Sequence, residues 1–376
     1  MSAERATPTI RLVGKPLAPP WRDSSKILAR DLVLGAAGRA RFRALGVRGA
    51  DPGLPHAEIT PLFRTAGGYG TSLGQQARLF LYLLGPERGV DLWQFFFAPS
   101  PRSSRAARLL LRRHGRASVQ TVVSAPLDPR PGLFFGDRVV VLSETRKQEL
   151  EALGLQDVRV IPPGIQDPGP IDDARIEAAR QKLELGRRPL VLFAGDWEFG
   201  AGWEEMLQAF TAVRTSAPGS CLVLACRDKT AAAASHRDEA RRRSVEQGWG
   251  DDLRLAGEVG DMPALLAAAD VVALPARSLM AKSDLPLVLL EAMALGRPLV
   301  VSDRPELLEL IDGGKAGVSV RADQPGELAA ALTGLLGSPR RCEALGAAAR
   351  ERFLARHEMN RMAEQYLALY QELLAR

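Results

Sequence analysis

Three glycines in GDWEFGAGWEE (195–205) lead an apolar run into a helical pattern. Glycine lets a backbone turn tightly, and a helix start offers free N–H groups and the positive end of its dipole. Gly195 and Gly202 are therefore candidates to cradle a phosphate; the plain alternative is an ordinary strand-to-helix turn. TAGGYGTS (65–72) precedes another helical pattern and has the same two readings. PRSSRAARLLLRRHGR (101–116) spaces Arg102, Arg105, Arg108, Arg112 and Arg116 by three or four residues, with Leu109, Leu110 and Leu111 partly opposite. Such a stripe is either a solvated helix face or a surface that docks on an anionic membrane. No aromatic residues interleave with these arginines and no nucleic-acid motif is present, so nucleic acid is not expected as a partner. His56, His114, His236 and His357 show no metal-ligand spacing with each other or with the three cysteines, and no metal is expected. Cys221 and Cys226 stand five apart in one apparent strand, on opposite faces, and should not bond.

The apolar pattern supplies a scaffold for these groups. Over 189–321, strands are expected at 189–195, 221–226, 253–257, 270–276, 298–303 and 316–321, and helices at 202–214, 262–269, 287–296 and 306–311. Continuous apolar runs bounded by helices are strands buried on both faces of a parallel sheet. The first half has the same grammar. Strands fit at 10–14, 58–63, 92–98, 119–125, 138–143 and 158–163. Helices fit at 24–35, capped by Asp23 or Ser24, and at 71–84, 103–114 and 144–153, while 36–57 is ambiguous. Two long helical patterns, 339–355 and 358–375, end the chain. The expectation is an α/β chain of two doubly wound, Rossmann-like parallel-sheet domains facing across a cleft. The first covers 1–165. A Pro- and Gly-rich linker and first crossover helix cover 166–188, and the second domain covers 189–355. A C-terminal helix, 356–376, packs back on the first.

Of the 376 residues, 46% are hydrophobic and 25% charged, which excludes disordered, collagen-like and coiled-coil chains. No charge-free apolar run approaches the ~18 residues of a membrane span. The first fifteen residues lack the apolar core of a signal peptide, so a cytoplasmic protein is expected, peripheral to the inner face of the membrane if the arginine stripe docks there. Residues 1–170 hold 24 Lys and Arg against 14 Asp and Glu, or +10, and residues 171–376 hold 26 against 30, or −4. The halves therefore differ in the partners they attract.

KSDLPLVLLEAMALGRPLVVSD (282–303) resembles retaining glycosyltransferases of the GT-B fold, the family that includes sucrose and glycogen synthases. VVVLSETRKQELEALGLQDVRVIPPGI (139–165), RLAGEVGDMPALLAAADVVALPA (254–276) and ELIDGGKAGVSV (309–320) follow in the family's order. PPWRDSSKILARDL (19–32) resembles the first loop and helix of some members. The resemblance implies an acceptor-side first domain and a nucleotide-sugar-side second domain. It implies a Glu291 carboxylate on the donor ribose, with Ser283 and Leu285 among the donor contacts, and Asp23, Ser24 and Lys26 facing the cleft from the first domain. The nucleotide sugar is then a substrate and no cofactor is implied. The acceptor is a glycan, a lipid-linked sugar or a small molecule.

The chain also departs from that pattern. Where the family has a second Glu, eight residues before Glu291, stands Ser283, with Asp284 beside it as the catalytic carboxylate if the loop shifts by one residue. Pro286 replaces a frequent Gly and has no N–H to give. Asp196 and Ala201 occupy the positions of an Arg and a Lys that touch the diphosphate, and Asp196 is expected to repel it. Lys282, Arg277 and Arg227 are the candidates to restore positive charge, Lys282 foremost and in a catalytic role. The function read from this is a metal-independent, retaining glycosyltransferase. The alternatives are an inert sugar- or nucleotide-binding protein on the same scaffold and a sugar-nucleotide epimerase.

Overall fold

A computed structural model describes residues 7–65, 72–124, 126, 128–198, 202–279 and 283–375. It divides into two compact units, residues 1–166 with 356–376, and residues 167–355. The first unit opens with β1 (Thr9–Gly14), α1 (Ser24–Gly35), β2 (Arg41–Val47), β3 (Ala57–Phe63), α2 (Leu73–Leu83) and β4 (Leu92–Phe96). It continues through α3 (Pro101–His114), β5 (Ala117–Val122), β6 (Arg138–Val141), α4 (Glu144–Ala152) and β7 (Val158–Val160). All seven strands are parallel, in the order β3-β2-β1-β4-β5-β6-β7. The 36–57 region, ambiguous in sequence, holds β2, a seven-residue strand between Gly-containing turns.

The second unit contains α5 (Asp173–Lys182), β8 (Leu190–Asp196), α6 (Trp203–Ser216), β9 (Cys221–Arg227), α7 (Ala233–Glu246), β10 (Leu253–Leu255) and α8 (Met262–Ala268). It ends with β11 (Val271–Leu274), α9 (Leu287–Ala294), β12 (Leu299–Ser302), α10 (Pro305–Leu310), β13 (Val318–Val320), α11 (Pro325–Leu336) and α12 (Pro339–Arg356). Its six strands are parallel too, in the order β10-β9-β8-β11-β12-β13. The chain closes on the first unit with α13 (Met359–Leu374), packed against α1 where Gly35 meets Ala363. Cys221 and Cys226 are buried, unbonded thiols in β9.

The strands read as continuous apolar runs because both faces are covered. Every residue of β4, β6, β11 and β12 is buried, as is all of β9 except Arg227. Helix starts follow local chemistry. Asp23 caps α1 by accepting from the backbone N–H groups of Ser25 and Lys26, and Ser24 is the first helical residue rather than the cap. Ser100 and Ser103 form a capping box on α3, with Pro101 at its first position. In each sheet the order reverses beside the first strand laid down, at β1/β4 and at β8/β11. In open parallel sheets ligands bind beyond the carboxyl ends at such a reversal.

Candidate active site

In the second unit the reversal gathers the ends of β8, β9 and β11. The parallel register sets Asp196 directly beside Arg227. The Asp196 carboxylate, 3% exposed, accepts from Arg227 Nη2 at 3.2 Å and from Lys229 Nζ at 2.6 Å. Two cations thus meet one carboxylate, with the Glu198 carboxylate at the neighbouring turn. This corrects the sequence expectation: Asp196 is no bare repulsive charge, because Arg227 and a lysine the sequence reading passed over neutralise it. Arg227 in turn is an ion-pair partner as well as a half-exposed cation. Glu198 Oε1 fixes the following turn by accepting from the N–H groups of Lys229 and Thr230, at 3.2 and 2.7 Å.

The turn into α6 depends on Gly202. Its φ is +114°, and a Cβ there would stand 2.8 Å from the Phe193 ring and 3.8 Å from the Cα of Ala276. The Gly202 N–H donates to Glu205 Oε2 at 2.9 Å, so one amide of the candidate cradle is already occupied. Glu205, 1% exposed, ion-pairs with Arg277 from the loop after β11. Arg277 is therefore tied to the start of α6 rather than held free for a phosphate. Gly195 is not in the turn at all. It lies inside β8, in register with Cys226. Trp203 Nε1 donates to the Trp197 carbonyl at 3.1 Å, and the two buried rings pack edge to face across the turn.

The loop before α9 is also buried. Ser283, Asp284 and Leu285 are 7%, 1% and 1% exposed. Ser283 Oγ has no hydrogen-bond partner among the described residues. Ser302 Oγ, at the end of β12, donates to the Ala276 carbonyl at 2.6 Å and holds the start of this loop. Pro286 stands as the N-cap residue of α9 without a side-chain bond. Half-buried Glu291 follows one turn into that helix, about 6 Å along the axis from its first residue at 1.5 Å per residue. Lys282, Ala201 and all of TAGGYGTS except Thr65 and Ser72 lie outside the described residues.

In the first unit the β1/β4 reversal carries Lys15, Asp23 and Lys26. Lys15 and Asp23 form an ion pair. Burial alone would raise the Asp23 carboxyl; the Lys15 ammonium and its hydrogen bonds outweigh that and hold it below its usual range. Lys26, expected to face the cleft, is buried and held by its neighbours. It is 5% exposed, and its ammonium lies 5.5 Å over the Trp21 ring and donates to the Pro20 carbonyl at 3.3 Å. Burial pulls its pKa down. Its role here is to lock the 19–23 segment onto α1.

The arginine stripe survives in part. Arg102, Arg105, Arg112 and Arg116 are exposed. Arg108 is not a free member, because its guanidinium donates to the carbonyls of Gly132 and Phe134 at 2.8 and 2.9 Å. Leu110 is buried, whereas Leu109 is 52% exposed and so shares the arginine face. Among the described residues, no helix is long and apolar enough to cross a membrane.

Residues 188–338 match the model of a family described as Glycosyl transferases group 1. The chain is 28% identical over 263 residues to the GDP-mannose-dependent alpha-(1-6)-phosphatidylinositol monomannoside mannosyltransferase of Mycobacterium tuberculosis, covering 68% of this chain and 67% of that protein. Among solved structures, sucrose-phosphate synthase of Thermosynechococcus elongatus aligns with a TM-score of 0.78 at 21% identity, over 98% of this chain and 99% of that one. Anabaena Alr3699/HepE in complex with UDP-glucose aligns with a TM-score of 0.76 at 17% identity, over 97% of this chain and 100% of that one. These structures show the fold, the paired Rossmann-like units of GT-B proteins.

Proposed function

We propose, from the premise that residues 188–338 are a glycosyl transferases group 1 domain, that the chain transfers a sugar from a nucleotide-sugar donor. The reaction breaks the bond between the anomeric carbon and a diphosphate oxygen, and the diphosphate leaves with the electron pair. An acceptor hydroxyl bonds to the same carbon and loses its proton. A site for this step must stabilise negative charge on the leaving diphosphate and positive charge on the sugar. The observation that carries the reading is the Arg227–Asp196–Lys229 cluster at the carboxyl ends of β8 and β9. It brings two cations to the sheet's reversal, and in this reading they, rather than a metal, face the leaving diphosphate. Glu291 takes the ribose hydroxyls. Ser283 Oγ and the Asp284 carboxylate face the sugar, Asp284 in the catalytic place and the reaction retaining, as in the family resembled. Lys282 adds a further cation at the head of that loop. The acceptor is a glycan, a lipid-linked sugar or a small molecule bound on the first unit.

The donor test uses both bases that appear among the relatives. Thermal melts with UDP, GDP and their sugars should show a rise in Tm for one base, since a ligand that binds only the native state stabilises it. Glu291→Gln keeps the shape but removes the charge. It should weaken that binding roughly tenfold or more, because a hydrogen bond to a charged group contributes about 1.5–3 kcal/mol. No shift with either base at millimolar concentration would favour an inert scaffold. Unchanged affinity in the Gln variant would remove Glu291 from the ribose.

A further inference from the structure

The helices α2 and α3 sink their inner faces into one apolar cluster with Val13, Trp93 and Phe95, and the His114 ring contacts the Leu83 carbonyl at 2.9 Å. They therefore lie side by side on one face of the first unit's sheet. Their outer faces are unusual for solvent-facing helices. On α2 the outward row is Leu73, Ala77 and Leu81, four residues apart, with both leucines 68% exposed and Arg78 exposed beside them. On α3 the outward row is Arg102, Arg105, Leu109, Arg112 and Arg113. Neither helix contains Asp or Glu. Leu73, Leu81 and Leu109 are half of the six large hydrophobics exposed among the described residues.

Apolar side chains alone would fit many partners, and arginines alone would be a solvated face. The combination on two adjacent helices is narrower. We propose that the α2/α3 face docks on the surface of an anionic phospholipid bilayer. The leucines enter the headgroup–acyl boundary and the arginines pair with lipid phosphates, as amphipathic helices do when they lie in the interface plane. A lone basic groove for single-stranded nucleic acid would carry stacking aromatics, and none is on the outer rows. Arg108 is outside the docking set, because its guanidinium holds the 132–134 carbonyls.

The test is co-sedimentation of the full chain with vesicles of phosphatidylcholine alone or mixed with phosphatidylglycerol. Binding should appear only with the anionic lipid. Each surface cation near an anionic leaflet is worth about 1 kcal/mol, or about fivefold in partitioning. Arg105→Gln/Arg112→Gln/Arg113→Gln should therefore lower partitioning by roughly a hundredfold by the same arithmetic. Leu73→Ser/Leu81→Ser/Leu109→Ser should lower it as well, and should leave more of the remainder sensitive to salt. Arg241→Gln/Arg340→Gln, exposed cations of the second unit, should change it little. All variants alter exposed side chains, and their melts should match the unmodified chain. Failure to bind anionic vesicles at low salt overturns the proposal. So does an equal loss from the second-unit pair, or full binding by the triple-Leu variant, or binding of single-stranded RNA in place of vesicles.

Discussion

At the scale of single residues, Asp196 shows how far a sequence position can mislead about charge. Read alone, an Asp where the family resemblance implies a cation predicts repulsion, and an Asp196→Arg change would then tighten diphosphate binding. The structure reverses that expectation. Asp196 is buried between Arg227 and Lys229, so an Arg in its place would bring three cations together and break the buried Asp196–Lys229 pair. Breaking a buried pair costs about 3 kcal/mol or more, which is roughly 6–12 °C in Tm for a unit of this size. Asp196→Arg should lower Tm by that order and weaken UDP or GDP rather than tighten it. Lys229→Met should weaken the diphosphate more than the nucleoside, because only the diphosphate loses a charge-assisted contact. Equal losses for nucleotide and nucleoside, measured by calorimetry, would take Lys229 out of the site. Lys229 was legible in principle. In this strand order β9 lies beside β8, so the end of CLVLACR and the residues after it must meet Asp196.

At the scale of elements, legibility followed burial. Strands such as β8 and β9 are apolar up to their last residue because helices cover both faces, and their positions stand in the sequence almost to the residue. Helix α7 did not, since only Ala233, Ala240 and Ser244 are buried along its fourteen residues and no apolar period survives. The strand β2 hid in 36–57 because a single short run between glycines looks like a turn. The candidate cradle was half legible. Its glycines are visible, yet only the fold separates Gly202, which makes the turn, from Gly195, which is part of the ladder. Gly202→Ala tests that division. A side chain at φ +114° is strained, and its Cβ would press on Phe193 at 2.8 Å. Strain of this kind costs about 1–3 kcal/mol. The variant should melt several degrees lower and bind nucleotide more weakly, because α6 must shift to admit the methyl group. A Gly202→Ala protein with unchanged Tm and unchanged affinity would mean that the turn relaxes freely and cradles nothing.

At the scale of the whole molecule, the chain leaves the first unit at 166 and returns at 356. The return is built into that unit's interior. Tyr366 hydroxyl meets Thr121 Oγ1 at 2.8 Å, and Tyr370 hydroxyl donates to Gln94 Oε1 at 2.9 Å; all four side chains are buried. Burial raises both phenols, which keeps them protonated. Without α13, Gln94 and Thr121 would lose partners inside the sheet, and Gly35 of α1 would lose its contacts with Met359 and Ala363. The two passages are also stitched together. Ile165 N–H donates to the His357 carbonyl and Met359 N–H to the Ile165 carbonyl, both at 2.9 Å, which holds residues 165 and 358 at strand spacing. In the second unit Arg350 grips Asp167 through two nitrogens, at 2.8 and 2.6 Å, and the guanidinium holds that carboxyl below its usual range. Each unit therefore closes its own ends. A fragment of residues 1–166 should not unfold cooperatively, because its core polar groups and the α1 face stay open. The same residues joined to 356–376 by a short Gly/Ser linker should fold, since the bridge leaves only about 5 Å between the joined backbones. Residues 167–355 should fold alone. Urea melts followed by circular dichroism check all three. A cooperative transition in 1–166 alone, with the midpoint of the linked form, would show that α13 is an ornament to the first unit and not part of its core.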